Sequence, residues 1–516
     1  MRRPRSENSS SLTVQLALPP PTPKQGYNVP YRANHRLNDD ILIGIFNCYR
    51  LDNRRDWNRR LLWCKLSHVC QRWRHLIYES TFHLRMFIEC SNKCPVILDT
   101  LDHLPPLPLS VSYRGGINTP TSEQELYDLR IYHPLRLPGR LFHIDLTLYP
   151  SMMDEVVILM DEHFPILKHL SLSYSYPDNP ARTLPNFPKG FLAPNLRHLS
   201  IPNISPPRRL RFLTSTVSLV TLKLRNIQAS SYVRPRVLAA RLGSLPLLEE
   251  LFIGFSIPIT CPSTERELLG EQRTPVTLPS LKILRFYGVG AYLESLVAHI
   301  RVPLLEQVVI GLFNQVAFVL PHLCYLINIT EVFMLSRARV SFHYDEVCVV
   351  GSTSAHGLGR SVPKPFYLRV TCKPLYWQID CAAQICHALI PTLSGVEELT
   401  LYARQEIPTE LQNRAIDSTT WHDLLRSFIG VKELYIYLVP AVLLEGLSRA
   451  LQVDGVGSDP GFLPNLRSIH AKDNRFTSFI DTRQAVGRPV EFQLEEAPWS
   501  LVSSLSRRSS STVASL

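Results

Sequence analysis

Leu196-Arg197-His198-Leu199-Ser200-Ile201 and Leu219-Val220-Thr221-Leu222-Lys223-Leu224 repeat one phrase, apolar-x-x-apolar-x-apolar. Its last two apolar positions stand two apart, the spacing that puts both side chains on one face of a strand. Upstream the phrase occurs as Leu141/Ile144/Leu146 and Leu167/Leu170/Leu172. Downstream it occurs as Leu248/Leu251/Ile253, Leu281/Leu284/Phe286 and Leu305/Val308/Ile310. After a less regular interval it returns as Val396/Leu399/Leu401, Val431/Leu434/Ile436 and Leu466/Ile469, often with a proline or glycine shortly before it. Each copy predicts a short strand, and residues 152–163, 237–242, 292–300, 315–320, 376–389 and 421–428 predict helices that cover the strands. A single strand-and-helix unit cannot bury its own apolar face, so the units must stack side by side into a parallel sheet.

A different period governs residues 37–85. Asn38 or Asp39 can cap a helix in which Ile41, Leu42, Ile45 and Phe46 share a face. An arginine-rich loop, 50–58, follows. The next stripe, Leu62, Leu66, Val69, Trp73, Leu76 and Ile77, again lies on one helical face. The residues themselves are Leu37-Asn38-Asp39-Asp40-Ile41-Leu42 with Ile45-Phe46, then Val69-Cys70-Gln71-Arg72-Trp73-Arg74 with Leu76-Ile77. This text resembles the F-box family, which has a Leu-Pro start, an Ile-Phe pair and a later Val-Cys-x-x-Trp-x-x-Leu-Ile. Asn38 stands where the family has proline, and the connection between the two helical parts is longer than usual.

Cys94-Pro95-Val96 leading to Leu104-Pro105-Pro106-Leu107-Pro108-Leu109 is similar to a large group of fungal F-box proteins with repeat-bearing C-terminal parts. The phrase spacing, from about 23 to 33 residues in its first block, is leucine-rich-repeat-like. The fold class expected is α/β: an F-box-like helical module followed by an irregular leucine-rich-repeat solenoid, its parallel sheet concave and its helices convex. The expected plan is a disordered arm (1–35), the helical domain (36–90), a connecting segment with a first irregular repeat (91–140), the repeat domain (141–499) and a disordered Ser-rich tail (500–516).

The resemblance implies an adaptor and not an enzyme. The helical module would dock on the Skp adaptor of a cullin-RING ubiquitin ligase through Leu37, Ile41, Leu42, Ile45, Phe46, Val69, Cys70 and Trp73, some of these, Trp73 first, serving as the module's own core. The repeat domain would hold a protein substrate for ubiquitination. The alternative is a repeat scaffold that no longer engages a ligase. Strand residues pointing away from the core are the substrate-binding candidates: Lys223, Arg225, Arg285 and Tyr287, then Tyr402, Tyr435 and Tyr437. The three basic residues favour an acidic or phosphorylated segment, with Glu250 between them in repeat order.

Composition narrows the remaining classes. The chain has 45% hydrophobic and 19% charged residues, as folded proteins do. Its formal charge of +11 invites a nucleic-acid reading, but the arginines form no dense run, so solvated surface charge, which also favours acidic protein partners, is the better expectation. No secretory signal or membrane span is read, so a cytoplasmic or nuclear protein with no membrane role is expected. Eleven cysteines without a Cys-x-x-Cys pair are read as reduced.

No catalytic residue, metal or cofactor is expected. Val347-Cys348-Val349-Val350-Gly351 with Gly357 and Gly359 lacks the lysine and helix of a phosphate loop, and reads as a hairpin between 342–350 and 366–370. Cys372, Cys381, Cys386 and His387 suggest zinc, but Cys381 and Cys386 fall about 140° apart around a helix and read as core.

Overall fold

A computed structural model of the chain describes residues 37–52, 66–79, 86–89, 108–114, 131–148, 150–174, 186–207, 210–228, 231–256, 274–313, 318–330, 333–353, 365–372, 374–403, 418–438, 440–453 and 463–494. The arm expected over 1–35, the tail over 500–516, Leu62 and the pair Gly357 and Gly359 lie outside them. The chain divides into two compact units, Met1–His83 and Leu84–Leu516.

In the first unit, α1 (Asp39–Asp52) runs past the point where a loop was expected, and α2 is Gln71–Glu79. The carbonyl of Asn38 accepts the first helical bond, from the Leu42 N–H at 3.1 Å. Arg72 of α2 holds that helix start: its Nε and Nη2 donate to Asp39 Oδ1 at 3.0 and 2.5 Å, and Nη2 also to the Leu37 carbonyl at 2.6 Å. Thus a clamp from the second helix holds the first turn of α1. Cys70 caps α2, its sulfur accepting from the Trp73 N–H at 3.5 Å.

The second unit is mixed α/β, built on a 16-stranded, mostly parallel sheet. Its strands are β1 (Met86–Glu89), β2 (Leu109–Arg114), β3 (Leu141–Leu148), β4 (His169–Tyr174), β5 (His198–Pro202), β6 (Thr221–Ile227), β7 (Glu250–Phe255), β9 (Ile283–Gly288), β11 (Gln307–Phe313), β12 (Arg337–Phe342), β13 (Glu346–Ser352), β14 (Phe366–Thr371), β15 (Glu398–Ala403), β16 (Glu433–Leu438), β17 (Ser468–Ala471) and β18 (Glu491–Leu494). β8 (Val276–Thr277) and β10 (Ile300–Arg301) form a separate parallel pair. The sheet therefore starts before the phrase does, at β1 and β2. The boundary expected at 90/91 falls inside it, because Met86–Glu89 pairs with Leu109–Ser112.

The phrases from Leu196 onward fold in the same way. Its first apolar residue closes a turn onto a buried residue three back, as in Leu196 N–H to Ala193 O (3.1 Å), Leu248 to Leu245 (3.2 Å) and Leu466 to Leu463 (3.2 Å). The next two N–H groups share one carbonyl of the preceding unit: Arg197 and His198 on Lys168, Val220 and Thr221 on Arg197, Lys432 and Glu433 on Glu397. Asn195 and Asn465, each just before a phrase, donate back to the carbonyls of Pro165 (2.7 Å) and Ile429 (3.0 Å). The remaining apolar positions then align across strands as Leu170, Leu199, Leu222, Leu251, Leu284 and Val308, and as Ile201, Leu224, Ile253, Phe286 and Ile310. All are buried, and each such side chain contributes about 1.5–3 kcal/mol.

The glycine before a phrase has a steric cause at Gly430, where a Cβ would lie 2.3 Å from the Ser394 carbonyl oxygen.

The helices are α3 (Pro150–Leu159), α4 (Pro235–Leu242), α5 (Gly290–Ala298), α6 (Pro321–Ile329), α7 (Leu375–Ala388), α8 (Ile390–Leu393), α9 (Ser418–Leu425), α10 (Ala441–Val453) and α11 (Thr477–Ala485). The helix expected over 315–320 is absent from the described part of that stretch. It starts at Pro321, whose ring suits the first helical position, and Glu294 of α5 accepts from the His322 and Leu323 N–H groups at 2.5 and 3.1 Å. No described helix is long and apolar enough to cross a membrane.

Sheet order follows chain order except once: β11 is followed by β14, β13, β12 and then β15. The hairpin expected between 342–350 and 366–370 is β13 against β14, antiparallel, and β12 joins it through a second tight turn.

Candidate functional site

Two surfaces carry the functional candidates. In the first unit the apolar stripe divides. Leu42 and Phe46 are fully buried, and Phe46 meets Trp73 edge-on at 4.9 Å, so these side chains are core and cannot be adaptor contacts as they stand. Trp73 and Cys70 are half-buried. Leu37, Ile41, Ile45 and Val69 are exposed, at 37%, 51%, 46% and 53%. Four exposed large apolar side chains from one short helical unit are more than scattered surface residues require.

In the second unit the site is the sheet face opposite the apolar columns, where strand alternation aligns the intervening residues in rows. His143, His169 and His198 run side by side, the last two stacked at 4.4 Å, and His198 Nδ1 meets Thr221 Oγ1 at 3.1 Å. Burial, then nearby Lys223 and Arg197, lowers the pKa of His198. Beyond the histidines comes a charge ladder: Glu250 lies between Lys223 (2.9 Å) and Arg285 (3.6 Å). Arg225 lies over the Phe252 ring at 5.4 Å, and Arg369 over Tyr287 at 4.6 Å. Gly311 makes room there, since a Cβ would stand 2.6 Å from the Tyr287 ring.

The structure thus brings Lys223, Arg225, Arg285 and Tyr287 together, but the carboxylate of Glu250 already engages two of the cations. Replacing it tests this ladder. Glu250→Gln leaves Lys223 and Arg285 adjacent and uncompensated, and is expected to lower stability by about 1–3 kcal/mol, less than a deeply buried pair because these groups are partly solvated. A thermal melt checks the loss, which raised salt should shrink. An unchanged midpoint at low salt would show that the ladder contributes nothing.

Tyr402, Tyr435 and Tyr437 form a second cluster. Tyr402 pairs in register with Tyr437, Tyr435 stacks on His470 at 4.3 Å, and the Tyr435 hydroxyl donates to Glu433 at 2.8 Å. Between the two clusters lie residues outside the repeated phrase: Arg337, Arg339, Glu346 and Arg369. Arg337 pairs with Glu398 at 2.7 Å and Arg369 with Glu346 at 3.2 Å. The alternation of Arg337, Arg339 and Ser341 with Ala338, Val340 and Phe342 could have placed them on the polar face.

His343, Glu346 and Cys348 bring ligand-type atoms within 4.8 Å of one another. Burial, then the charge of Glu346, pushes the Cys348 thiol up, away from the thiolate that binds metal, and Glu346 is engaged by Arg369. Burial likewise pushes up the thiol of Cys386.

The chain matches no family model and no curated protein.

Proposed function

We propose that the chain is an F-box-like substrate receptor: its first unit engages the Skp adaptor of a cullin-RING ubiquitin ligase, and its second unit, a leucine-rich-repeat-like solenoid, holds a protein on the polar face of the sheet. The observation that carries the reading is the division of the first stripe into a buried Leu42, Phe46 and Ile77 and an exposed Leu37, Ile41, Ile45 and Val69. The first set lets two short helices pack. The second leaves an apolar surface with no partner named among the described residues. Phrases folding alike, with parallel strands in chain order over most of the sheet, support the solenoid.

The test is co-purification of the full chain with the Skp adaptor. Ile45→Ala with Val69→Ala removes two exposed side chains, each contributing about 1.5–3 kcal/mol if buried at an interface, and is expected to weaken capture at least tenfold with the fold unchanged. Wild-type capture by the double variant would reject these contacts. Failure of the wild-type chain to bind would favour the alternative, a repeat scaffold without a ligase.

A further inference from the structure

Arg339 is the side chain on the polar face whose surroundings do not account for it. It lies in the middle of β12, between Val350 of β13 and Thr400 of β15, in a part of the face where Ser341, Cys348, Val350, Thr400, Tyr402 and Tyr437 are all buried. Its own exposure is 4%, and its Nε and Nη2 are buried without a hydrogen-bond partner. Three other basic residues of this face are matched: Arg337 with Glu398, Arg369 with Glu346 and Lys223 with Glu250. Among the described residues, the electrostatic neighbours of Arg339 are Tyr402 and Tyr437, and no carboxylate.

A buried guanidinium without a counter-charge is costly, and that cost is removed by an oxyanion accepting from its planar fork. The arginine belongs to the polar face, because Ala338 and Val340 on either side of it face the apolar core. The neighbouring aromatic row, Tyr402, Tyr437, Tyr435 and His470, extends well beyond what one small anion would cover. Tyrosine and arginine together are the residue types that anchor protein segments.

We infer that Arg339, flanked by Tyr402 and Tyr437, anchors an acid side chain, carboxylate or phosphate, carried on an extended segment of a partner protein. This deepens the reading of the sheet face as a protein-holding surface and does not depend on the Skp adaptor. It moves the anionic anchor from Lys223 and Arg285, which share Glu250, to the arginine that has no such partner.

The experiment uses the full chain and random peptide libraries with one fixed central residue: Glu, phosphoserine, or the neutral Gln and Ser, with inorganic phosphate as a separate probe. Wild-type protein is expected to retain the Glu or phosphoserine library over its neutral counterpart, the difference between those two arms naming the source of the charge. Arg339→Met should reduce that preference roughly tenfold or more. The same variant, without peptide, should melt at or above the wild-type temperature, because it removes an uncompensated buried charge. Equal retention of acidic and neutral libraries, equal selection by Arg339→Met, or a lower melting temperature in that variant would each overturn the inference. So would Arg339-dependent binding of inorganic phosphate with no peptide selection, which would assign the arginine to a free anion. Because no adaptor is present, failure here is distinguishable from failure of ligase engagement.

Discussion

Trp421→Ala is expected to destabilise the second unit by about 3–5 kcal/mol, the cost of emptying the space of a large core side chain. Trp421 sits on α9, is fully buried, and meets Phe342 of β12 edge-on at 5.7 Å. It therefore joins a covering helix to the strand at which sheet order departs from chain order. Its indole N–H is buried without a partner, so the loss is one of packing and not of a hydrogen bond. Trp421→Phe should accordingly cost much less, since a ring stays and an unsatisfied donor goes. Denaturant unfolding of the two variants checks the argument, and an Ala variant no less stable than the Phe variant would refute it.

Phe46→Ala should have a comparable cost, about 3–5 kcal/mol, but in a unit too small to absorb it. The ring is fully buried against Trp73, and a core of a few side chains offers little with which to refill the gap. The expected result is local unfolding of the first unit: rapid proteolysis between Leu37 and Glu79, a changed Trp73 environment, and an intact sheet. Ile45→Ala, one residue earlier and exposed, should leave proteolysis unchanged. If both variants resist protease equally, Phe46 is not the keystone of this unit. The contrast also matters for function, because loss of adaptor capture in Phe46→Ala would report unfolding and not a lost contact.

Much of the sheet was legible because the phrase couples a strand period to a turn. Every copy from Leu141 to Leu466 marks a strand, and its apolar residues are buried. β12 was not legible by that rule: Arg337–Phe342 alternates cleanly but has no leucine-closed turn before it, and its partner β13 comes from the other side of a hairpin. α10 and α11 follow their strands where no helix was expected. The helix over 315–320 was misplaced because its apolar residues were read without weighing Pro321 as a start.

The polar face was legible in the sequence, and its charge balance was not. Alternation correctly set Lys223, Arg225, Arg285 and Tyr287 on one face, yet neutralisation by Glu250 depends on which strands are neighbours. Arg339 stayed hidden since only the register of β12 with β13 and β15 sets Val350 and Thr400, and no carboxylate among the described residues, beside it. Similarly, helical spacing put Ile45 and Phe46 side by side, and only the packing of α2 shows which of them turns inward.

The single departure from chain order also sets the timetable of synthesis. As the nascent chain leaves the ribosome, the strands of the large sheet from β2 to β11 each find a neighbour already made. The outer edge of β11 does not: Val308 to Phe313 pair with Phe366 to Thr371, which are translated only after β12 and β13. β12 in turn waits for Glu398 to Ala403 before its far side is covered. During that interval the growing chain presents unpaired backbone donors and acceptors beside an unfinished apolar face, which is the template on which neighbouring nascent copies on one messenger cross-pair. Slow elongation or chaperone cover between Phe313 and Phe366 is expected to lessen that cross-pairing.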